Sequence, residues 1–258
     1  MMDLWAVVPV KERDRAKERL APLLPADTRQ ALALAMLEDV LSALAAVEGL
    51  AGLVVVTVDL AASRLALRYG ARVVEDGARD GHTGAVTAAA RLLAAEGHGG
   101  MLTLPGDIPL VTADEIGQVV VAHRPAPSFT IVPSHDEGGS NAVLLSPPDA
   151  VPLRFGVDSF FPHLRAAEAQ GIRPTVLRLS GIALDIDNPE DLAAFLRTPS
   201  QTQTRALLDE RGALTAPLTS WPGSISSSKS TGNSRSPDRV DARIMSGQGE
   251  QGQEDLAQ

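Results

Sequence analysis

The sequence predicts an α/β fold in which a mostly parallel sheet is covered by helices on both faces. Short apolar runs such as LWAVVPV (4–10) and GLVVVTVD (52–59) alternate with segments of helical periodicity. Strands that are buried on both faces read as continuous apolar runs of this kind. The chain has 258 residues and is 44% hydrophobic, which is enough for a sizeable core in one domain plus a tail.

The first half of the chain alternates strand and helix four times. Pro25 and Asp27 begin one helix, Gly70 ends another, and Thr112 with Glu115 three residues later predicts a capping box. The predicted strands are 4–10, 52–59, 71–76 and 100–107, and the predicted helices are 25–47, 60–70, 83–97 and 112–123.

The pattern changes in the second half of the chain. SFTIVPS and NAVLLSPP are close enough in sequence to pair as strands, SFFPHLRAAEAQG predicts a helix, and TVLRLSGIALDID reads as extended. NPEDLAAFLR predicts a last helix, with Asn188 as the cap and Pro189 at the first helical position. The domain therefore covers residues 1–198, and we expect the Ser-, Gly-, Pro- and Gln-rich segment 199–258 to be disordered.

Composition excludes several classes of protein. The chain has no cysteine, which excludes disulfides, thiolate catalysis and iron–sulfur clusters. A formal net charge of −9 argues against a protein that coats nucleic acid, because such proteins usually carry a basic face. The N-terminal stretch lacks the form of a signal peptide, and no run approaches the ~18 apolar residues of a membrane span. We therefore expect a cytoplasmic protein with no nucleic-acid or membrane partner.

Three cations follow the first predicted strand. Lys11, Lys17 and Arg19 lie in VPVKERDRAKERLAP, and ligands of open α/β sheets bind beyond the carboxyl ends of the strands. These side chains could clamp a triphosphate, although a solvated basic turn would give the same pattern. The sequence contains neither a P-loop motif nor G-x-G-x-x-G, which argues against both of those nucleotide folds.

Carboxylates follow other predicted strands. Asp107 comes after Pro105 and Gly106 in LTLPGDIPL, where a small, rigid backbone would let a ligand approach closely. Asp185 and Asp187 alternate in LDIDNPED, so both would point to one face of a strand. Turn and capping roles are the alternatives for all three. Together they offer the hard oxygen ligands that Mg²⁺ prefers alongside substrate phosphates.

A polar segment could meet an anionic substrate. Ser140 and Asn141 in HDEGGSNAVLL, and Ser159 at a predicted helix start, can donate to an anion or a carboxylate. An ordinary turn and N-cap would look the same. GGSNA resembles the elbow of serine hydrolases, but a strand-like segment follows it where a helix is required. The five histidines show no H-x-x-x-H spacing, which argues against a zinc site, and we expect most of them at the surface.

These motifs occur in the order seen in one family. VPVK, AKERLAP, RQALALAMLEDVL, LPGDIPLVT, GSNAVLL, RFGVDSF and LDIDNPEDL resemble the 2-phospholactate or 3-phosphoglycerate guanylyltransferase family of coenzyme F-420 biosynthesis over residues 3–197. The resemblance implies a GT-A-like nucleotidyltransferase fold. It also implies condensation of GTP with a phosphorylated three-carbon acid, which releases pyrophosphate.

The resemblance also implies roles for particular residues. Family metal ligands fall on Asp107 and Asp185, with Asp187 adjacent, and contacts to the acid fall on Asn141, Gly156 and Ser159. Where many members have a Gly-Leu-Asn segment that holds the nucleotide, this chain has GHTGAV (81–86), which puts Thr83 at that place.

The implied reaction needs no nucleophilic side chain. A phosphate monoester is already mostly dianionic at pH 7, so one of its oxygens can attack GTP without a general base. The acid could be 3-phospho-D-glycerate, 2-phospho-L-lactate or phosphoenolpyruvate. We favour 3-phospho-D-glycerate because the polar HDEGGSN loop could meet its extra hydroxyl. Another nucleotidyltransferase activity and a non-catalytic nucleotide-binding regulator are the alternatives, and the oligomeric state, with a homodimer as one option, is left open.

Overall fold

Seven strands form one sheet in the order β3-β2-β1-β4-β6-β5-β7. The structure is a computed structural model that describes residues 3–12, 16–156 and 158–212. Strand β6 is antiparallel to both of its neighbours, and every other neighbouring pair is parallel. The strands are β1 (Leu4–Pro9), β2 (Leu50–Val56), β3 (Arg72–Val74), β4 (Gly100–Thr103), β5 (Ser128–Pro133), β6 (Ser140–Ser146) and β7 (Thr175–Val176).

Eight α-helices accompany the sheet in the described residues. They are α1 (Ala26–Ala45), α2 (Leu60–Arg68), α3 (Gly81–Ala95), α4 (Ala113–Ala122), α5 (Phe160–Ala169), α6 (Ser180–Ala183), α7 (Pro189–Arg197) and α8 (Gln203–Glu210), and a 3-10 turn covers Glu18–Leu20. As predicted, the side chains of Thr112 and Asn188 cap α4 and α7. The capping box predicted at Thr112 is only half formed, because the Glu115 carboxylate accepts from the Gly181 amide instead, whereas Asn188 forms a capping box with Asp191. Among the described helices, none combines the length and the apolar character needed to cross a bilayer.

The core has a layer on each face of the sheet, which confirms the predicted architecture. Along β1, Leu4, Ala6 and Val8 face a cluster built from α1, α2 and α4, whereas Val7 faces a cluster built from α3 and α5. This alternation is the period of an extended strand. A third buried cluster joins α1 to α7 and α8. Helices therefore cover both faces of the sheet, and a ligand-binding site is expected at the ends of the strands.

Several strands are shorter than the sequence predicted, and two of the differences affect the candidate site. Strand β4 ends at Thr103, so Asp107 lies in the turn that follows Pro105 and not on the strand. The extended segment predicted over 175–187 is interrupted after β7 by the short helix α6. Side chains satisfy the backbone there: the Gly181 amide donates to the Glu115 carboxylate at 2.8 Å. A segment held in this way needs no partner strand.

The start of the predicted tail contains a helix. Residues 199–258 were expected to be disordered, but α8 packs against α1, with Thr204 and Leu208 buried. The Asp39 carboxylate on α1 accepts hydrogen bonds from the Gln203 and Thr204 amides and from the Thr204 hydroxyl. A helix of eight residues gains order from these contacts because it is too short to be stable alone. Residues 213–258 lie outside the described ranges.

Replacing Asp39 by alanine should loosen α8 from the domain. The variant removes the acceptor for three donors at the start of the helix, and loss of a helix cap costs about 0.5–2 kcal/mol. Hydrogen exchange should therefore accelerate in α8, and the free energy of unfolding in urea should fall by that amount. Glu38→Ala removes a neighbouring carboxylate that pairs with the exposed Arg68 and should change stability by less than about 1 kcal/mol. Unchanged exchange in α8 would contradict the role of Asp39.

Candidate functional site

The site lies where the strand order of the sheet reverses. From β1 the chain first adds β2 and β3 on one side and then β4 on the other. In open α/β sheets, ligands bind outside the carboxyl ends of the strands at such a point. The loop after β1 carries Lys11 and Lys17, and the turn after β4 carries Asp107. The predicted cations and the predicted carboxylate therefore face each other across two neighbouring strand ends.

A lysine ammonium lies at the centre of the site. Nζ of Lys17 donates to Oδ2 of Asp107 and to Oδ1 of Asp187, and both distances are 2.6 Å. The Lys17 side chain is only 10% exposed, against 27% for Asp107 and 47% for Asp187. Charge-assisted hydrogen bonds of this length are stronger than neutral ones. Lys17 thus ties together residues that are 90 and 170 positions away in the sequence.

The third part of the site is the segment between α6 and α7. The Ile186 amide donates to the Asp107 carbonyl at 3.1 Å, which brings the segment beside the turn after β4. Nδ2 of Asn141 donates to Oδ1 of Asp185 at 3.0 Å and also to the carbonyls of Ile182 and Ala183. The structure thus brings Asp107 and Asp187 together on Lys17 and holds Asp185 on Asn141, whereas the strand that Asp185 and Asp187 were expected to share is not formed. Their role as metal ligands stays a prediction.

The charges of the site act on one another. Burial raises the pKa of Asp185, and the nearby charges of Asp107 and Asp187 raise it further, against the hydrogen bond from Asn141. Burial would also raise the pKa of Asp187, but the attraction of Lys17 outweighs it and the pKa is lowered. For Lys17, burial lowers the pKa, and the attraction of the two carboxylates reverses this into a net rise. Lys17 therefore stays charged and holds Asp187 charged.

The donor set of the site fits a magnesium ion that is completed by a substrate. Oδ1 of Asp107 is buried and has no hydrogen-bond partner among the described residues, so it can still accept a ligand. Within the same ranges, no group of three or more His, Asp or Glu side chains is already arranged around a metal position. Mg²⁺ commonly uses one or two carboxylates plus phosphates and waters, so a preformed protein cage is not required.

The other residues predicted to bind nucleotide lie at the edges of the site. Lys11 and Arg19 are exposed, and their charges help to lower the pKa of Asp187 after the larger effect of Lys17. Pro105 and Gly106 begin the turn before Asp107. A Cβ on Gly106 would meet Leu37 of α1 at 3.3 Å. A side chain at this position would be in tight contact with the core, a constraint that the sequence did not indicate.

Two of the serines predicted to bind the acid belong to an internal network. The Ser140 hydroxyl lies 2.9 Å from Nδ1 of His163 and accepts from the Ser159 hydroxyl at 3.3 Å. Nε2 of His163 accepts from the Arg154 amide at 2.9 Å, so Nδ1 carries the proton. Ser159 precedes α5 as predicted, but its side chain does not cap that helix. The network fixes the loop before α5, and Gly156 in that loop is exposed at φ 142°.

The segment GHTGAV begins α3 and faces the same loop. The Thr83 hydroxyl accepts from the Phe155 amide at 3.0 Å and donates to the Phe155 carbonyl at 3.3 Å. The His82 and Phe155 rings pack with their centroids 4.4 Å apart. Burial lowers the pKa of His82 to about 4, although the charge of Asp107 opposes the shift. A neutral imidazole therefore lies near Asp107.

Sequence reasoning missed the residues that support the site. His82, His123 and His163 are at least partly buried, so the expectation that most histidines lie at the surface is wrong. Glu115, on α4, holds α6 in place, and Arg29, on α1, donates to the carbonyls of residues 16 and 17. No spacing signal marks these contacts: the spacing of Glu115 from Thr112 indicated only a capping box, and Arg29 lies outside any motif.

Known proteins are similar to the chain over most of its length. The family model described as “Guanylyl transferase CofC like” matches residues 4–220. A Conexibacter woesei protein named phosphoenolpyruvate guanylyltransferase is 35% identical over 215 residues, which cover 81% of this chain and 96% of that protein. A Colwellia psychrerythraea protein named 3-phospho-D-glycerate guanylyltransferase is 37% identical over 195 residues, which cover 75% and 92%.

Solved structures share the fold. A candidate nucleotide-diphospho-sugar transferase from Desulfovibrio desulfuricans G20 superimposes with a TM-score of 0.67 at 20% identity, covering 83% of this chain and 96% of that one. A 4-diphosphocytidyl-2C-methyl-D-erythritol synthase superimposes with a TM-score of 0.53 at 15% identity, covering 81% and 100%. At these identities the likeness concerns the fold alone, and it confirms the GT-A-like nucleotidyltransferase fold.

Protonation of His163 should destabilise the domain in acid. Burial lowers its pKa from 6.5 to about 4, so the folded chain binds this proton less readily than the unfolded chain. The free energy of unfolding should therefore fall as the pH drops from 6.5 to about 4, by up to about 3 kcal/mol from this residue at 1.36 kcal/mol per pKa unit.

The test compares urea unfolding of His163→Gln and the wild type across this pH range. The free energy of unfolding should fall less steeply with pH in the variant. Part of the fall should remain, because the pKa values of His82 and His123 are also lowered to about 4. His135→Gln, at a side chain that is 51% exposed, is the control for loss of an imidazole, and the change in slope in His163→Gln is judged against it. An unchanged slope in His163→Gln would show that the network tolerates the proton.

Proposed function

The chain belongs to the CofC-like guanylyl transferase family, and we propose that it transfers the guanylyl group of GTP to the phosphate of a three-carbon acid. The observation that carries this proposal is the meeting of Lys17, Asp107 and Asp187 beyond the carboxyl ends of β1 and β4. The product would be a guanylyl diphosphate ester of the acid, used in the assembly of coenzyme F-420.

Charge is the central difficulty of this reaction. GTP and a phosphorylated acid are both strongly anionic and repel each other when they approach. Lys11, Lys17 and Arg19 are balanced by three carboxylates, so these side chains alone leave little positive charge for the substrates. We infer that Asp107, Asp185 and Asp187 hold Mg²⁺, which when bound would offset the phosphate charge and polarise the P–O bond that breaks.

The chemical step requires positioning more than proton transfer. An oxygen of the acid's phosphate would attack the α-phosphorus of GTP, and the bond from that phosphorus to the oxygen bridging to the β-phosphate would break. The electron pair leaves on pyrophosphate, and no proton has to move because the attacking phosphate is already mostly dianionic at pH 7. The tasks of the protein are therefore to align the two phosphates and to exclude water.

The loop before α5 is the proposed subsite for the acid. Gly156 is exposed there. In the first turn of α5, the Phe160 amide already donates to the Gly138 carbonyl at 3.2 Å and Pro162 has no amide hydrogen, so the exposed loop backbone carries the proposal more than the start of the helix does. Asn141 and Ser159 already donate to internal acceptors. We therefore propose that these two side chains set the position of the subsite and of Asp185, and their direct contact with the acid stays a prediction.

The identity of the acid is the finer part of the proposal. The polar loop that favoured 3-phospho-D-glycerate uses its carboxylates internally: Asp136 accepts from Ser134 and from the Gly138 amide, and Glu137 pairs with Arg178 at 2.7 Å. These carboxylates are therefore less available to bind the extra hydroxyl of 3-phospho-D-glycerate, and the preference for that acid stays a prediction. The candidate acids remain 3-phospho-D-glycerate, phosphoenolpyruvate and 2-phospho-L-lactate, which a few hydrogen bonds would distinguish.

Purified protein should release pyrophosphate from GTP only when a suitable acid is present. The assay combines GTP or another nucleoside triphosphate with each of the three acids, with and without Mg²⁺, and detects the guanylyl ester by mass spectrometry. We expect GTP with one preferred acid to give product and a chelator to abolish it. Faster turnover of CTP would indicate another nucleotidyltransferase, and GTP binding without product for any acid would indicate a regulator.

Replacing Asp107 by asparagine should remove activity without unfolding the protein. The change keeps the shape of the side chain but removes its charge, and loss of a metal-ligating or phosphate-orienting group should lower kcat/KM by at least about a hundredfold. Asp114→Asn, at an acid on α4 that bonds Gln118, is the matched control and should stay within about twofold of wild type. Equal activity of Asp107→Asn and the control would contradict the proposed site.

A further inference from the structure

The ammonium of Lys17 occupies the position of a cation among the carboxylates. It bridges Asp107 and Asp187 at 2.6 Å on each side, with little exposure to water. Asp185 is close enough for the charges of both residues to raise its pKa after the effect of burial. A divalent ion drawn to Asp107 and Asp187 would therefore meet a positive charge already in place.

The backbone holds Lys17 in this position. Its φ of 51° and ψ of 45° are in the left-handed region, which costs a residue with a Cβ about 1–3 kcal/mol unless its surroundings impose it. The Lys17 carbonyl accepts from the Leu20 amide at 2.9 Å. Nη1 of Arg29 also lies 3.4 Å from the Ala16 carbonyl and 3.5 Å from that of Lys17. The ammonium is therefore presented by a shaped turn and not by a freely moving side chain.

We propose that Lys17 is an internal counter-ion that keeps divalent metal out of the nucleotide-free enzyme. The inference rests on the proposed function, because it takes Asp107 and Asp187 as metal ligands. A triphosphate carries more negative charge than two carboxylates, so it attracts an ammonium more strongly at the same distance. Bound nucleotide would draw the ammonium to its phosphates and free Oδ2 of Asp107 and Oδ1 of Asp187 for the metal.

Metal and nucleotide would then strengthen each other's binding through one side chain. Linkage requires the effect to be reciprocal: if nucleotide raises the affinity for metal, metal raises the affinity for nucleotide by the same factor. An enzyme built in this way would bind free metal weakly and would assemble its charged site only around the substrate. Lys17 is thus a residue that couples two ligands, in addition to any contact it makes with a phosphate.

Binding of Mn²⁺ alone to the nucleotide-free protein tests this inference. Lys17→Met should bind Mn²⁺ at least about tenfold more tightly than wild type. Removing one positive charge next to a divalent ion removes a repulsion large enough to change the dissociation constant by about that factor. Lys17→Arg keeps the charge and should bind Mn²⁺ as weakly as wild type. Lys11→Met, at an exposed cation whose charge also reaches Asp187, is the matched control and should gain less than about threefold.

A second measurement follows the nucleotide. The affinity for GTP without acid is measured in a chelator and at saturating Mn²⁺, and the ratio of the two should be smaller in Lys17→Met than in wild type. Should that variant unfold, as judged by its melting temperature, Lys17→Gln makes the same test with a neutral donor in place.

The results separate this inference from the proposed function. Equal Mn²⁺ affinity of wild type and Lys17→Met, or an equal gain in Lys11→Met, would overturn the counter-ion role while leaving guanylyl transfer intact. Loss of Mn²⁺ binding when Asp107→Asn is added to Lys17→Met would support the carboxylates as the ligands. Absence of product for every acid would instead overturn the proposed reaction, and that result is read from the pyrophosphate assay.

Discussion

The architecture of the site depends on holding three carboxylates close together in spite of their repulsion. Asp107 follows β4, whereas Asp185 and Asp187 come from a segment almost eighty residues later. Burial raises the pKa of Asp185, and the negative charges of Asp107 and Asp187 raise it further. The Lys17 ammonium offsets this repulsion at Asp107 and Asp187, and the Asn141 amide donates to Asp185.

The fold places these charges through features that carry no charge themselves. After β2 and β3 are added on one side of β1, the chain adds β4 on its other side, so β1 and β4 are neighbours. The loops that follow these two parallel strands therefore lie side by side at one edge of the sheet. Buried side chains on both faces of β1 fix that strand, and a Cβ at position 106 would lie only 3.3 Å from Leu37 of α1. The core therefore determines how closely Lys17 and Asp107 approach, which is a link from apolar packing to electrostatics.

The sequence predicted what depends on local pattern and missed what depends on remote contacts. Apolar periodicity indicated the sheet and most helices, and capping chemistry at Asn188 located the start of α7. The segment before it was predicted as one strand, because nothing local shows that Asn141 and Glu115 satisfy its backbone. Helix α8 was missed for the same reason, since the Asp39 carboxylate that orders it lies 164 residues away.

Polar residues at strand ends can affect a binding site without touching the substrate, by holding other parts of the site in position. Ser140, Asn141 and Thr83 look like ligand donors in sequence, yet each is engaged with the protein itself. Their hydrogen bonds fix the loop before α5 on one side of the site and Asp185 on the other. Acids that differ by one hydroxyl are distinguished by one or two hydrogen bonds. If the proposed subsite binds the acid, a small shift of these residues would therefore change which acid is preferred. Under the proposed function, selectivity would depend on how rigidly the buried network positions the loop, and the buried His163 would contribute to it through that network.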